Sequence, residues 1–175
     1  TFQTTEINLA QINGARFFHF GYPTEMRQMY LDGGESLKNL LSQVKQKGLS
    51  TSLDMSFPDF ASEAGKTDWR KWLQVVLPQV DMFLPSFEEI YAMLERQEYE
   101  TVVREGRLSV DKELLQRLSD QLLGLGAAIA VIKLGDQGLY MQSSKDPQRL
   151  KSTGLGGPKN IEAWIDKQLL VPCFK

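Results

Sequence analysis

Residues 128–141 read AIAVIKLGDQGLYM, an apolar strand that breaks into a Gly-bounded turn and then a second short strand. Residues 129–132 are apolar on both faces of a strand, which is typical of a central strand covered by helices on both sides. Such strands present ligand sites at their C-terminal ends. Gly135 and Gly138 can adopt backbone angles closed to other residues, so a phosphate or ribose can approach the main chain at this turn. Taken alone, an ordinary Gly-containing hairpin explains the same residues.

The segments before this stretch alternate between strands and helices. Ser86 is placed to cap one of the helices, and Glu89 stands three residues later as in a capping box. The pattern predicts an α/β fold with a mainly parallel sheet, helices on both faces and right-handed crossovers. Strands are predicted over residues 15–20, 49–53 and 81–85, and the other helices over residues 35–47, 68–80 and 114–123.

Three other parts of the chain carry weaker patterns. Residues 95–108 are highly charged and expected to be exposed, and residues 143–158 are polar and Gly-rich, which predicts a flexible excursion from the sheet. Residues 169–174 are expected to begin another strand, in which Cys173 is a buried small apolar residue. His19, within an aromatic strand, is expected to be packed or hydrogen-bonded rather than a general base.

The composition excludes several classes of protein. A chain of 175 residues, 42% of them hydrophobic, is long enough for one domain with a buried core. Its net charge of −2 argues against a nucleic-acid partner. One cysteine and one histidine cannot form an internal disulfide or a Cys/His zinc site. No apolar run approaches the roughly 18 residues of a membrane span, and residues 3–6 are polar, unlike a signal peptide, so we expect a cytoplasmic protein with no membrane partner.

Polar or Gly-rich loops follow four of the predicted strands. In a parallel sheet the loops at the carboxyl ends lie along one edge, where ligands bind. A carboxylate at that edge, such as Glu89, can bind magnesium through waters, and a helix N-terminus favours phosphate. A plain capping role for Glu89, and an Asx-type turn for Asp54 and Ser56, remain open. The loops are residues 21–22, 54–56, 85–89 and 133–138.

The order and intervals of these loops resemble the ribokinase-like (PfkB-type) carbohydrate kinase family. The later half of that family has a strand ending in Gly, an Asp-Pro-Asn-x-Arg-like loop, an Asn-x-x-Glu motif and a strand closing in Thr/Lys-x-Gly-x-x-Gly. The resemblance implies a ribokinase-like three-layer sandwich, with ATP and Mg²⁺ as cofactors. It also implies transfer of the γ-phosphoryl group of ATP to a sugar hydroxyl.

The resemblance assigns roles to individual positions. Glu89 stands at the family's Glu, which helps to hold magnesium near the phosphates, and Ser86 stands at its Asn. Asp54 matches the Asp of the other loop, whereas Met55, Ser56 and Pro58 replace its Pro, Asn and Arg, so two polar contacts are replaced. The residues expected to bind the nucleotide are Lys133, Gly135, Asp136, Gly138, Ser86, Asp54 and Ser56.

The chain departs from the family in what it lacks. No Gly-Ala-Gly-Asp, the family's catalytic signature, occurs in the sequence, so no catalytic residue is assigned to it. The family's N-terminal sugar-binding and lid region is not found either, and residues 1–175 are expected to be a partial ribokinase-like domain that is inactive alone. The alternatives are a nucleoside kinase of the same family and a non-catalytic nucleotide-binding or interaction module.

The expected partners follow from the same resemblance. They are ATP and a sugar or sugar-like substrate. A parallel sheet interrupted in mid-order leaves an unpaired apolar edge, which invites aggregation or pairing with another chain. A homodimer is therefore an expected form.

Overall fold

The fold is built on one mixed sheet. The computed structural model describes residues 3–173, and these residues form a six-stranded sheet in the order β1-β2-β3-β4-β5-β6. Strands β1 to β4 pair in parallel, and β5 and β6 each run antiparallel to the preceding strand. The predicted α/β class with a mainly parallel sheet is confirmed. The strands are β1 Phe17–Phe20, β2 Ser50–Leu53, β3 Met82–Phe83, β4 Ile129–Lys133, β5 Leu139–Ser143 and β6 Gln168–Val171.

Helices cover the two faces of the sheet unequally. Alternate residues of β4 separate the faces. Ile132 belongs to a large core cluster that includes buried residues of α2, α3, α4 and α6, whereas Val131 belongs to a smaller cluster with Leu150 of α7. Ile161 and Trp164 pack against this smaller cluster. The helices are α1 Arg27–Leu31, α2 Glu35–Gln46, α3 Trp69–Val76, α4 Phe87–Leu94, α5 Arg96–Arg104, α6 Lys112–Gly124 and α7 Pro147–Lys151.

Helices α2 and α6 begin and end within two residues of their predicted bounds. Helix α3 ends at Val76, four residues before the predicted end, because Pro78 follows and residues 77–79 form a 3-10 turn instead. Asp68 and Asp111 cap α3 and α6, because the side chain of each accepts a backbone N–H of the first turn. Gly48, with a φ of +84°, follows the end of α2. The buried face of α2 consists of residues at helical spacing, namely Leu37, Leu40, Leu41 and Val44.

The sequence patterns do not predict α1, α5 and α7. Helix α5 has no fully buried residue, and its Tyr99 and Val102 are only half-buried against the core, so its apolar face is too weak to mark it in the sequence. An ion pair between Arg96 and Glu100, 2.8 Å at its shortest, supports it at the surface. Helices α1 and α7 have five residues each, too few for a periodic pattern to be read. No helix within residues 3–173 is long and apolar enough to cross a membrane.

Residues 144–167, which connect β5 to β6, follow the sheet rather than leaving it as the predicted excursion would. The buried carboxylate of Asp81 pairs with Lys45 of α2 and with Arg149 of α7, whose Nη1 lies 2.9 Å from Asp81 Oδ1. Further along, the N–H of Leu155 donates to the carbonyl oxygen of Gly48 at 2.9 Å. Ionic and backbone contacts therefore fix a segment whose composition alone indicates flexibility.

Of the predictions for the chain's one histidine and one cysteine, the first is confirmed and the second is wrong. His19 Nδ1 lies 3.0 Å from Ser52 Oγ, which confirms the predicted hydrogen bond. Cys173 is exposed, so the prediction of a buried thiol is wrong. It follows β6, an edge strand whose Leu170 is 65% exposed. The strand predicted over residues 169–174 is confirmed as β6. Phe174 lies outside the described residues.

Candidate functional site

The carboxyl ends of β2, β3 and β4 lie side by side. Parallel register places Leu53 of β2 beside Phe83 of β3. Just beyond β3, Ser86 forms a parallel bridge with Lys133, the last residue of β4, and the N–H of Lys133 donates to the carbonyl oxygen of Pro85 at 2.9 Å. The loops that follow β2 and β3 therefore reach the same edge of the sheet as the turn after β4.

Asp54 and Lys133 form an ion pair at this edge. Lys133 Nζ lies 2.7 Å from both carboxylate oxygens of Asp54. Asp54 Oδ1 also accepts the N–H of Met55 at 2.8 Å. The Asp54 side chain is 15% exposed and that of Lys133 42%, so the carboxylate is enclosed while the ammonium remains open to solvent.

Ser86 and Glu89 form the capping box that their spacing predicts. The N–H of Ser86 donates to Glu89 Oε2 at 2.7 Å, and the N–H of Glu89 donates to Ser86 Oγ at 3.4 Å. Burial raises the pKa of Glu89, and the hydrogen bonds from Ser86 and the charge of Lys133 oppose that rise. The box holds a half-buried carboxylate at the N-terminus of α4, next to the Asp54–Lys133 pair.

The two glycines of the turn after β4 differ in their surroundings. Gly135 has a φ of +60°, and a Cβ built on it would meet nothing within 4 Å. Gly138 has a φ of +102°, and a Cβ there would overlap the carbonyl oxygen of Val171. Asp136, between them, is exposed. The backbone at Gly135 is thus open to an approaching group, whereas Gly138 is required by close packing against the end of β6.

A cavity of about 410 Å³ borders this turn. The turn contributes Leu134 and Gln137 to its wall, and β5 and β6 contribute Tyr140 and Leu170. The N-terminal part of α6 closes the other side, with Leu115 among its lining residues. A concave space of this size with several apolar walls is typical of small-molecule sites.

Ser56 makes its hydrogen bonds outside the Asp54–Lys133 and Ser86–Glu89 group. Its hydroxyl bonds with that of Thr24 and donates to Glu25 Oε1 at 2.7 Å. Tyr22 N–H donates to the carbonyl oxygen of Asp54 at 3.2 Å, so the loop after β1 packs on the loop after β2. Thr24 and Glu25 were not among the predicted site residues, and no motif around them marks this contact.

The site suits magnesium only if a bound phosphate group supplies part of the coordination. Within residues 3–173 no group of three or more histidine, cysteine, aspartate or glutamate side chains is placed to hold a metal ion. Asp54 is already paired with Lys133, and Glu89 accepts the N–H of Ser86. Mg²⁺ commonly binds through one or two carboxylates together with waters and the phosphates of a substrate. One carboxylate at the helix N-terminus suits that arrangement.

Solved structures share this arrangement of strands and helices. A PfkB protein from Polaromonas sp. JS666 aligns with a TM-score of 0.55 and 18% identity, over 81% of this chain and 42% of that one. A protein from E. coli provisionally assigned as ribokinase II, in complex with ATP and Mg²⁺, aligns with a TM-score of 0.56 and 14% identity, over 99% of this chain and 42% of that one. This chain has the ribokinase-like fold. A fructokinase with bound ATP from Xylella fastidiosa aligns with a TM-score of 0.53 and 15% identity, over 81% of this chain and 38% of that one.

The ribokinase-like resemblance of the sequence motifs is thereby confirmed in the fold. At these identities the likeness shows the fold alone. This ribokinase-like chain spans between 38% and 42% of the length of the three structures. No protein-family model and no curated protein matches the sequence.

Proposed function

We propose that this chain forms the nucleotide-binding part of an ATP-dependent carbohydrate kinase, which transfers the γ-phosphoryl group of ATP to a sugar hydroxyl. The observation that carries the proposal is the meeting of Lys133, Asp54, Ser86 and Glu89 at one sheet edge, beside the open backbone of Gly135. The ribokinase-like fold supports it, because two of the similar structures were solved with ATP.

Each part of the edge has a chemical task in this proposal. The open turn at Gly135 admits ribose or phosphate to the main chain, and the bordering cavity offers apolar surface to the base. The ammonium of Lys133 and the N-terminus of α4 attract phosphate. Magnesium, when bound with the nucleotide, neutralises phosphate charge, and Glu89 would hold it through water.

The transfer step itself is not assigned to residues of this chain. The sequence contains no Gly-Ala-Gly-Asp tetrad, which in the family supplies an anion hole and a base. The identity of the sugar, and of the hydroxyl that receives the phosphoryl group, depends on the whole protein. A reducing compartment suits the one exposed cysteine, and we propose the cytoplasm as its location.

Calorimetric titration of ATP in the presence of Mg²⁺ tests the proposal. Gly135→Val places a branched side chain on the open turn and should abolish binding. Gly106→Val is the matched control, because Gly106 also has a positive φ, of +64°, and open space at its Cβ. Both variants carry the same backbone strain, so only the ligand contact differs. Loss of binding in both variants, or a folded wild-type chain that does not bind ATP, would contradict the proposal.

The role of Glu89 is tested in the same titration. Glu89→Gln keeps an oxygen that can accept the N–H of Ser86 but removes the charge. We expect ATP to bind this variant with little difference between Mg²⁺ and EDTA. An unchanged magnesium dependence would remove Glu89 from the metal site and leave it a capping residue.

A further inference from the structure

The carboxylate of Asp54 is almost fully occupied by groups of the chain itself. Lys133 Nζ bonds to both of its oxygens at 2.7 Å, and the N–H of Met55 bonds to Oδ1 at 2.8 Å. The side chain is 15% exposed. These three bonds use most of the roughly four acceptor positions of a carboxylate, so a metal ion or a magnesium-bound water would compete with the ammonium of Lys133 for it.

Lys133, unlike Asp54, keeps hydrogen-bonding capacity for a ligand. Its ammonium has three protons, and the hydrogen bonds described for it use two, both to Asp54. Its side chain is 42% exposed. The main chain of the same residue is fixed by the N–H bond to Pro85 and by the bridge to Ser86. The ammonium is therefore held at a fixed place at the sheet edge, with donor capacity left for an anion.

We propose that Asp54 is a positioning residue, which holds the ammonium of Lys133 in place to receive a phosphate group, and that Asp54 contacts neither phosphate nor metal. The inference rests on the proposed function, because it assigns a task within the same nucleotide site. A free lysine side chain loses rotamer entropy when it binds an anion. The ion pair orders Lys133 before the ligand arrives, so that less entropy is lost on binding.

A double-mutant cycle with inorganic tripolyphosphate as the probe tests this role. Titrations of wild type, Asp54→Asn, Lys133→Met and the double variant are run in EDTA and again with Mg²⁺. We expect Asp54→Asn to weaken tripolyphosphate binding by about fivefold to tenfold in EDTA, and the double variant to bind no more weakly than Lys133→Met alone. Adenosine, which carries no phosphate, should bind all four proteins equally.

Two results would overturn the inference. Weakening by Asp54→Asn that appears only with Mg²⁺ would make Asp54 a metal contact, and further weakening in the Lys133→Met background would make it a direct contact of the anion. Asp54→Glu keeps the charge but displaces it by one methylene. This variant should fall between wild type and Asp54→Asn, and it serves if Asp54→Asn does not fold.

The inference and the proposed function fail in different ways. Tripolyphosphate binding with the expected coupling, but no ATP binding, would contradict the nucleotide proposal and leave the role of Asp54 standing. ATP binding that is unaffected by Asp54→Asn would contradict the role of Asp54 and leave the nucleotide proposal standing. A folded wild-type chain that binds neither probe would overturn both.

Discussion

Gly138 packs so closely against the end of β6 that a Cβ on it would overlap the carbonyl oxygen of Val171 and lie 2.8 Å from the Cα of Pro172. The residue also has a φ of +102°, a region that side-chain-bearing residues rarely adopt. The turn after β4 therefore packs directly against the end of β6 at Gly138. At the other end of the turn, a Cβ on Gly135 would meet nothing within 4 Å.

Alanine substitution should separate the two glycines. Gly138→Ala combines backbone strain with a steric clash, and we expect it to lower the free energy of unfolding by about 2–4 kcal/mol. Gly135→Ala carries the strain alone and should cost about 1 kcal/mol. Urea unfolding measures both, and equal losses would show that Gly138 has no special packing role.

Removing the charge of Asp81 should be among the most damaging polar substitutions. Asp81→Asn leaves Lys45 and Arg149 partly buried without their carboxylate, which we expect to cost about 3–5 kcal/mol. Glu162→Gln, an exposed control in the same connection, should change stability by less than about 0.5 kcal/mol. Chemical denaturation compares them, and a small effect of Asp81→Asn would mean that the ion pairs of Asp81 with Lys45 and Arg149 do not anchor residues 144–167.

The free energy of unfolding should depend on pH through the titration of Glu89. Burial raises its pKa above the ordinary 4.5, so the folded state binds the proton more tightly than the unfolded state. The resulting stabilisation is complete below the unfolded-state pKa and is lost as pH rises through the folded-state pKa.

Glu89→Gln does not titrate and provides the reference. The free energy of unfolding of wild type minus that of Glu89→Gln should therefore fall as pH rises from below 4.5, the ordinary pKa of the group, through its raised folded-state pKa. Urea unfolding of both proteins across this range gives the difference. A difference that increases with pH would mean that hydrogen bonding from Ser86 and the charge of Lys133 outweigh burial.

The edge strand β6 should promote self-association. Leu170 is 65% exposed on a strand that, within residues 3–173, pairs on one side only. Leu170→Lys should reduce self-association in sedimentation velocity and change the unfolding free energy by less than about 0.5 kcal/mol. Leu155→Lys, at a residue 60% exposed outside the strand, should not alter association. A wild-type chain that is monomeric at all concentrations would contradict this expectation.

Local patterns predicted the parts of the fold that bury an apolar face. Helix α2 and strand β4 follow from the spacing of their apolar residues, and the Ser86–Glu89 box follows from a three-residue interval. Helix α5 has no fully buried residue and contacts the core through the half-buried Tyr99 and Val102, so its apolar pattern is too weak for periodicity to reveal it.

Contacts between distant segments had no such signal. Lys133 and Asp54 are 79 positions apart, and each was predicted at the site without any indication that they pair. Cys173 was expected to be buried because its neighbours are apolar, but its exposure depends on β6 lying at the edge of the sheet. Register and strand order, which local sequence does not encode, decide both.

Alkylation of Cys173 tests most directly whether a nucleotide occupies the turn after β4. The chain has one cysteine, and its Sγ lies 3.2 Å from the carbonyl oxygen of Gly135, so the thiol reports on the turn alone. Mg²⁺ and ATP should slow alkylation of wild type and of Gly106→Val and leave the rate for Gly135→Val unchanged. ATP binding in calorimetry without protection of Cys173 would place the nucleotide elsewhere and contradict the account.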